Sequence, residues 1–144
     1  MTRTKIPEPE SYIFSTEIPI RIGDINRANH LSHVAFVVII EEARTQFLQS
    51  RNVQMDTNGP GYIISDLAIT YLAQGRYGQT LKIDIAVEDF THKGFDIIYT
   101  VKDSTSGIEL ARAKTGLVFF DYQRQKVTNV PQGLKELLTQ SQSG

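Results

Sequence analysis

Asp24, Asn26, Asn29, His30 and His33 fall within ten consecutive positions of this sequence, and Glu41 and Glu42 follow in the next segment. These residue types divide proton-transfer chemistry between them. An imidazole, with an ordinary pKa of about 6.5, exchanges protons near neutrality. A carboxylate accepts a proton or attacks an electrophile itself. A carboxamide does neither, but it holds a water or a carbonyl oxygen by hydrogen bonds. The chain contains no cysteine, which excludes thiol nucleophiles, disulfides and cysteine-ligated zinc or iron–sulfur centres together. Any catalysis therefore uses oxygen and nitrogen groups. His30 and His33 as a metal pair would need a further ligand, and the one remaining histidine, His92, lies in a distant turn. No metal and no cofactor are expected.

The elements that must position these residues follow from hydrophobic periodicity. Ile18, Ile20 and Ile22 alternate with Glu17, Pro19 and Arg21, which predicts a half-buried strand over Tyr12 to Ile22, near a sheet edge because of Pro19. The Gly, Asp and Asn residues of Gly23 to Asn29 suit a loop with unusual backbone angles. From His33 to Ser50 the pattern turns helical, with Ser32 as N-cap. Val34, Val37, Val38 and Leu48 form one apolar stripe; Phe36, Ile40, Ala43 and Phe47 form another. A helix apolar on both sides is buried. Glu41 continues the valine stripe and is expected to be the more buried of the two glutamates, so that it needs hydrogen-bond partners.

After a turn-rich stretch, Asn52 to Gly61, strands are predicted over Tyr62 to Leu72, Thr80 to Phe90, Phe95 to Asp103 and Ile108 to Tyr122. The turns at His92-Lys93-Gly94 and Ser104-Thr105-Ser106-Gly107 are short enough for antiparallel hairpins. A short helix is predicted within Gln132 to Gln140. One strand, one long helix and four further strands make an α+β arrangement, an antiparallel sheet wrapped on one helix. The 144 residues are read as one domain, with 1–10 and 139–144 as flexible tails.

Composition narrows the class of function. With 40% hydrophobic and 22% charged residues the chain has the balance of a globular protein. Its net charge of −1, with basic residues scattered, argues against nucleic acid as a partner. The longest apolar run, Val34 to Ile40, has seven residues and cannot span a bilayer. The first ten residues lack an apolar segment of signal-peptide type, so a cytoplasmic location is expected.

The strand leading into Asp24-Ile25-Asn26, with His30 after three further residues, and then a buried helix carrying Glu41-Glu42-Ala43-Arg44, resembles the hot-dog-fold thioesterases related to 4-hydroxybenzoyl-CoA thioesterase. Glu109 to Asp121 resembles that family's last long strand, and Pro131 before Leu134 its closing segment; the likeness runs from about Ile18 to Leu138. It implies a hot-dog fold, with a five- or six-stranded antiparallel sheet around the central helix, and hydrolysis of an acyl-CoA or acyl-carrier-protein thioester.

The same resemblance implies that backbone amides of His30 to Ala35 polarise the thioester carbonyl, and that CoA lies between the subunits of a dimer. In many relatives the second acid of a D-x-D loop attacks, or takes the proton from water; here that position is Asn26. The proton acceptor is then His30, foremost, or Asp24, or Glu41 or Glu42 reaching back from the helix, with His33 a further choice. Structural roles stand beside these: His30 and His33 as braces of the helix start, Asp24 as an Asx-turn residue, Glu41 as a loop brace. Asn29, His33 and Tyr62 are candidate substrate contacts. A non-catalytic acyl-thioester binder and a 3-hydroxyacyl dehydratase are the competing functions. An open sheet edge implies a homodimer or homotetramer.

Overall fold

A computed structural model describes residues 1–53 and 60–140 of the chain. Its main helix, α1 (His33–Ser50), has the predicted bounds, and the Ser32 hydroxyl accepts the Val34 amide at 3.2 Å as its N-cap. Six strands follow the chain as β1 (Phe14–Pro19), β2 (Pro60–Tyr71), β3 (Thr80–Glu88), β4 (Gly94–Asp103), β5 (Glu109–Asp121) and β6 (Lys126–Val127), with a short helix α2 (Leu134–Leu138) closing the chain. They form one antiparallel sheet in the order β1-β3-β4-β5-β2, with the short β6 on β5. This is the α+β hot-dog arrangement, with six strands around one long helix. None of the described helices is long and apolar enough to cross a membrane.

The core lies between α1 and one face of the sheet. Leu81, Ile83 and Ile85 of β3 and Ile97, Tyr99 and Val101 of β4 are fully buried there, in a register that sets Ile83 opposite Val101 and Ile85 opposite Tyr99. The buried Tyr99 hydroxyl is satisfied by Thr115 at 2.7 Å. Arg44, the charge that interrupts the helix, is buried against the Tyr99 and Tyr62 hydroxyls.

Of the two apolar stripes of α1, the phenylalanine stripe is buried throughout, whereas the valine stripe is buried only at Leu48. Phe36, Ile39, Ile40, Ala43 and Phe47 face the sheet, whereas Val34 is 63% and Val38 53% exposed. Glu41, expected on a buried stripe, is exposed. The reason is area: a single sheet covers one side of a helix, and the side bearing two phenylalanines removes more apolar surface from water than the valine side.

The expected first strand also shortens. It ends at Pro19, because Ile22–Asp24 winds into a 3-10 turn that starts the loop. Much of the turn-rich stretch, residues 54–59, lies outside the described residues. The expected tails are tied down where they are described. The Thr4 carbonyl accepts from Thr70 at 2.7 Å, the Ile6 carbonyl from Arg112 at 2.9 Å, and Pro9 is buried. These contacts draw the first ten residues across the outer face of the sheet, where Ala86 and Ile98 alternate with inward residues and are buried. Near the other end, Arg51 donates to the carbonyls of Ile13 and Gln140. Residues 141–144 lie outside the described residues.

Phe47 is fully buried, its ring 5.5 Å from that of Phe14 and covered by Arg51. Phe47→Ala should therefore cost about 3–5 kcal/mol of stability in urea denaturation. A loss under about 1 kcal/mol, the level of an ordinary surface change, would show that α1 does not pack by this face.

Candidate active site

The loop between β1 and α1 is built on two side chains. Asp24 is buried, and its carboxylate accepts the Arg21 amide at 2.8 Å with the Arg21 guanidinium 3.6 Å away. Its own carbonyl accepts the Ser32 amide at 2.8 Å. Asp24 thus joins the end of the β1 segment to the residue that caps α1. Asn26 organises the middle. Its Oδ1 accepts from the amides of Ala28 at 3.0 Å and His30 at 3.1 Å, its amide donates to the His30 carbonyl at 2.8 Å, and its carbonyl accepts from Asn29 at 3.1 Å. A bridge between Ile25 and Leu31 closes the loop below it. Asn29 takes the left-handed conformation, with φ 60°, which a short amide side chain tolerates better than most.

This loop forms one wall of a cavity of about 500 Å³ at the N-terminus of α1. Asn26, His33 and Gln74 supply its polar lining, and Leu31, Phe36, Tyr71 and Leu110 its principal apolar one. The Phe36 and Tyr71 rings meet edge to face at 5.4 Å. Leu31 donates its amide to the Gly75 carbonyl at 2.7 Å and packs so closely that a Cβ on Gly75 would lie 3.1 Å from the Leu31 Cβ. Glycine is what lets the chain leaving β2 approach the loop. Burial pushes the Tyr71 phenol above its ordinary pKa, so it stays protonated at neutral pH. The first turn of α1 adds backbone N–H groups that have no helical acceptor, at the positive end of the helix dipole.

The structure separates the candidate residues. Asn26 and His33 line the cavity; Asp24, Asn29 and His30 belong to the loop but are not among its lining residues. Glu41 lies about 12 Å further along the helix at 1.5 Å per residue, on the outward face. Glu42 borders a separate groove with Glu17 and Arg21. Tyr62 stands near the opposite end of β2, about 30 Å of strand from Tyr71, beside Arg44. The other lining residues are not marked as site residues by the sequence, Gln74, Tyr71 and Leu110 among them. Gln74 sits in a turn marked by Gly75, Tyr71 reads from the sequence as a core or dimer-interface residue, and Leu110 arrives through the pairing of Tyr71 with Ala111. No cluster of ligands able to hold a metal ion occurs among the described residues.

A sequence model of the thioesterase-like superfamily matches residues 20–138. No curated protein matches the sequence significantly. Among solved structures, the chain is similar to Slr0204, a 1,4-dihydroxy-2-naphthoyl-CoA thioesterase from Synechocystis, with a TM-score of 0.81, 19% identity, and 87% of this chain and 94% of that one covered. It is similar to the PA5185 protein from Pseudomonas aeruginosa, with a TM-score of 0.81, 17% identity and coverage of 94% and 96%. It is also similar to an aspartate-to-asparagine mutant of 4-hydroxybenzoyl-CoA thioesterase in complex with 4-hydroxybenzoyl-CoA, with a TM-score of 0.79, 19% identity and coverage of 90% and 100%. At these identities the likeness is one of fold.

The left-handed turn at Asn29 gives the loop geometry a direct check. Asn29→Gly should leave stability within about 0.5 kcal/mol, whereas Asn29→Val, which crowds its own backbone at positive φ, should lose about 1–2 kcal/mol in thermal or urea unfolding. Equal tolerance of both would mean that the loop does not hold this conformation.

Proposed function

Because the chain belongs to the thioesterase-like superfamily, we propose that it hydrolyses an acyl thioester, carried on coenzyme A or on an acyl carrier protein, in the cavity at the start of α1. The observation that carries this reading is the composition of that cavity. Apolar walls from Phe36, Tyr71 and Leu110 suit an acyl group, and Asn26 and His33 stand at the first turn of the helix, whose amides have no helical acceptor. A thioester carbonyl gains negative charge on oxygen as water attacks it, and preorganised N–H groups at a helix start stabilise that charge. Asn26 contributes shape. Its Oδ1 is held by two loop amides, so its role is to keep the loop, and hence the approach to the first turn, in one conformation.

The cavity opens at the edge of the sheet. β2 is a long edge strand with no strand on its outer side among the described residues, and Leu67 and Tyr71 on it and Leu72 just after it are 43%, 50% and 54% exposed. Val34 and Val38 on α1 add a second exposed apolar stripe. Unpaired edges and apolar patches of this kind are covered by association. A second copy pairing along β2 would join the sheets and close the open side of the cavity. Analytical ultracentrifugation should give a dimer, or a dimer of dimers, and Leu67→Lys should shift it towards monomer with a parallel loss of turnover. A wild-type monomer of full activity would remove this arrangement.

A second reading rests on Asn26 itself. The position that carries an acid in many members of the resembling family here carries a group that cannot take a proton, which favours an acyl-thioester binder without turnover. The two readings separate in a panel of short, long and aromatic acyl-CoAs. Release of free thiol supports the hydrolase; a raised melting temperature with no thiol released supports the binder. In either case Asn26→Asp should fold as the wild type does, since both bonds at Oδ1 are accepted bonds that a carboxylate also makes. A gain of turnover in Asn26→Asp from an inactive wild type would identify the missing acid as the cause.

A further inference from the structure

We propose that His33 is the catalytic base of this site, taking the proton from the attacking water in place of a loop carboxylate. The assignment rests on the hydrolase reading of the same cavity. Among the described residues of its lining, two side chains titrate, His33 from α1 and Tyr71 from β2. Asn26 from the loop and Gln74 from the turn after β2 are amides, and β5 contributes only Leu110 and Ala111. Tyr71 is a phenol, protonated near neutrality, and its partial burial raises its pKa further, so it cannot accept a proton there. An imidazole is the side-chain type that changes charge between about pH 5 and 8 without special tuning.

The rival groups are occupied or distant. The Asp24 carboxylate accepts the Arg21 amide at 2.8 Å. His30 is held to Asn26 through its backbone, and it is not among the lining residues of the cavity. Glu41 faces outward about two helical turns away. Position favours His33 as well. It is the first residue of α1, it is exposed, and it lines the cavity beside the first turn, whose amides lie at the positive end of the helix dipole. One carbonyl oxygen held by those amides would place its carbon within reach of a water held by His33.

The step balances without a cofactor. The water oxygen bonds to the carbonyl carbon as its proton passes to the His33 imidazole. The tetrahedral intermediate then collapses, the carbon–sulfur bond breaks, and the departing thiolate takes the proton back. The products are the free acid and the free thiol, and His33 is returned neutral.

The test is thiol release followed across pH by wild type, His33→Gln and His33→Ala, with the best acyl-CoA of the panel. His33 is exposed, so both variants should keep the wild-type melting temperature. Both should lose about 10²–10⁴-fold in kcat with KM little changed, and the fall of kcat at acid pH should disappear. Added imidazole should restore part of the activity of His33→Ala and none of that of His33→Gln, whose side chain fills the space. If the variants keep wild-type kcat and its acid limb, another group, including one from a second copy, is the base and the proposal falls while the hydrolase stands. If wild type releases thiol from no acyl-CoA or acyl carrier protein, both the hydrolase reading and this assignment fall.

Discussion

Burial of the Phe36 and Phe47 side of α1 against a single curved sheet sets the geometry of the rest of the molecule. Once that face is committed, the rotation of the helix about its axis is fixed, and with it the outward placement of Val34, Val38 and Glu41. The same rotation brings His33 and Phe36 to the cavity, where Phe36 meets Tyr71. Fold and site therefore depend on one packing interaction. The aromatic face that stabilises the core also aims the first turn of the helix.

The loop before the helix shows how polar groups near a site divide their roles. Asp24, the carboxylate, is buried and spends its acceptors on the backbone of its own loop. Asn26, the amide, does the same for the following turn, yet lies at the cavity wall. A buried carboxylate without such donors would be costly, so bonding to local amides is its favourable state. Among its described lining residues the cavity holds two amides, one imidazole and one phenol beside the helix terminus. The carboxylates of the loop and helix are used or placed elsewhere.

The two faces of the sheet are finished differently. Its inner face is covered by α1. Its outer face is crossed by the first ten residues, whose carbonyls bond Thr70 and Arg112 and whose Pro9 is buried. Tyr12, which continues that segment, bonds Thr100 at 2.7 Å. Among the described residues the long β2 edge has no further strand paired to it, and the cavity takes Tyr71 from its end. The chain thus covers both faces of its sheet with its own segments and leaves this edge to another partner or to water.

Much of the fold was legible in the residues because it depends on local patterns. Period-two alternation marked the strands, the 3.6-residue period marked His33–Ser50 to both ends, and Ser32 announced the cap. The loop was legible as well, since Gly, Asp and Asn clustered before a helix start have few other uses. What the periodicity misjudged was the valine side of α1: both stripes, and Glu41 with them, were expected to be buried, whereas the sheet covers the phenylalanine side and leaves Val34, Val38 and Glu41 exposed. That choice is a competition in buried area between surfaces brought together only in three dimensions. Membership of the cavity was undecided for the same reason: Tyr71, Gln74 and Leu110 reach Asn26 and His33 through the β2–β5 register and the contact of Leu31 with Gly75, which join positions 40 to 80 residues apart. The sequence by itself determined the elements and the chemical types available; the tertiary structure decided which of them share one cavity, because side chains distant along the chain become neighbours only when strand pairing and core packing are satisfied together.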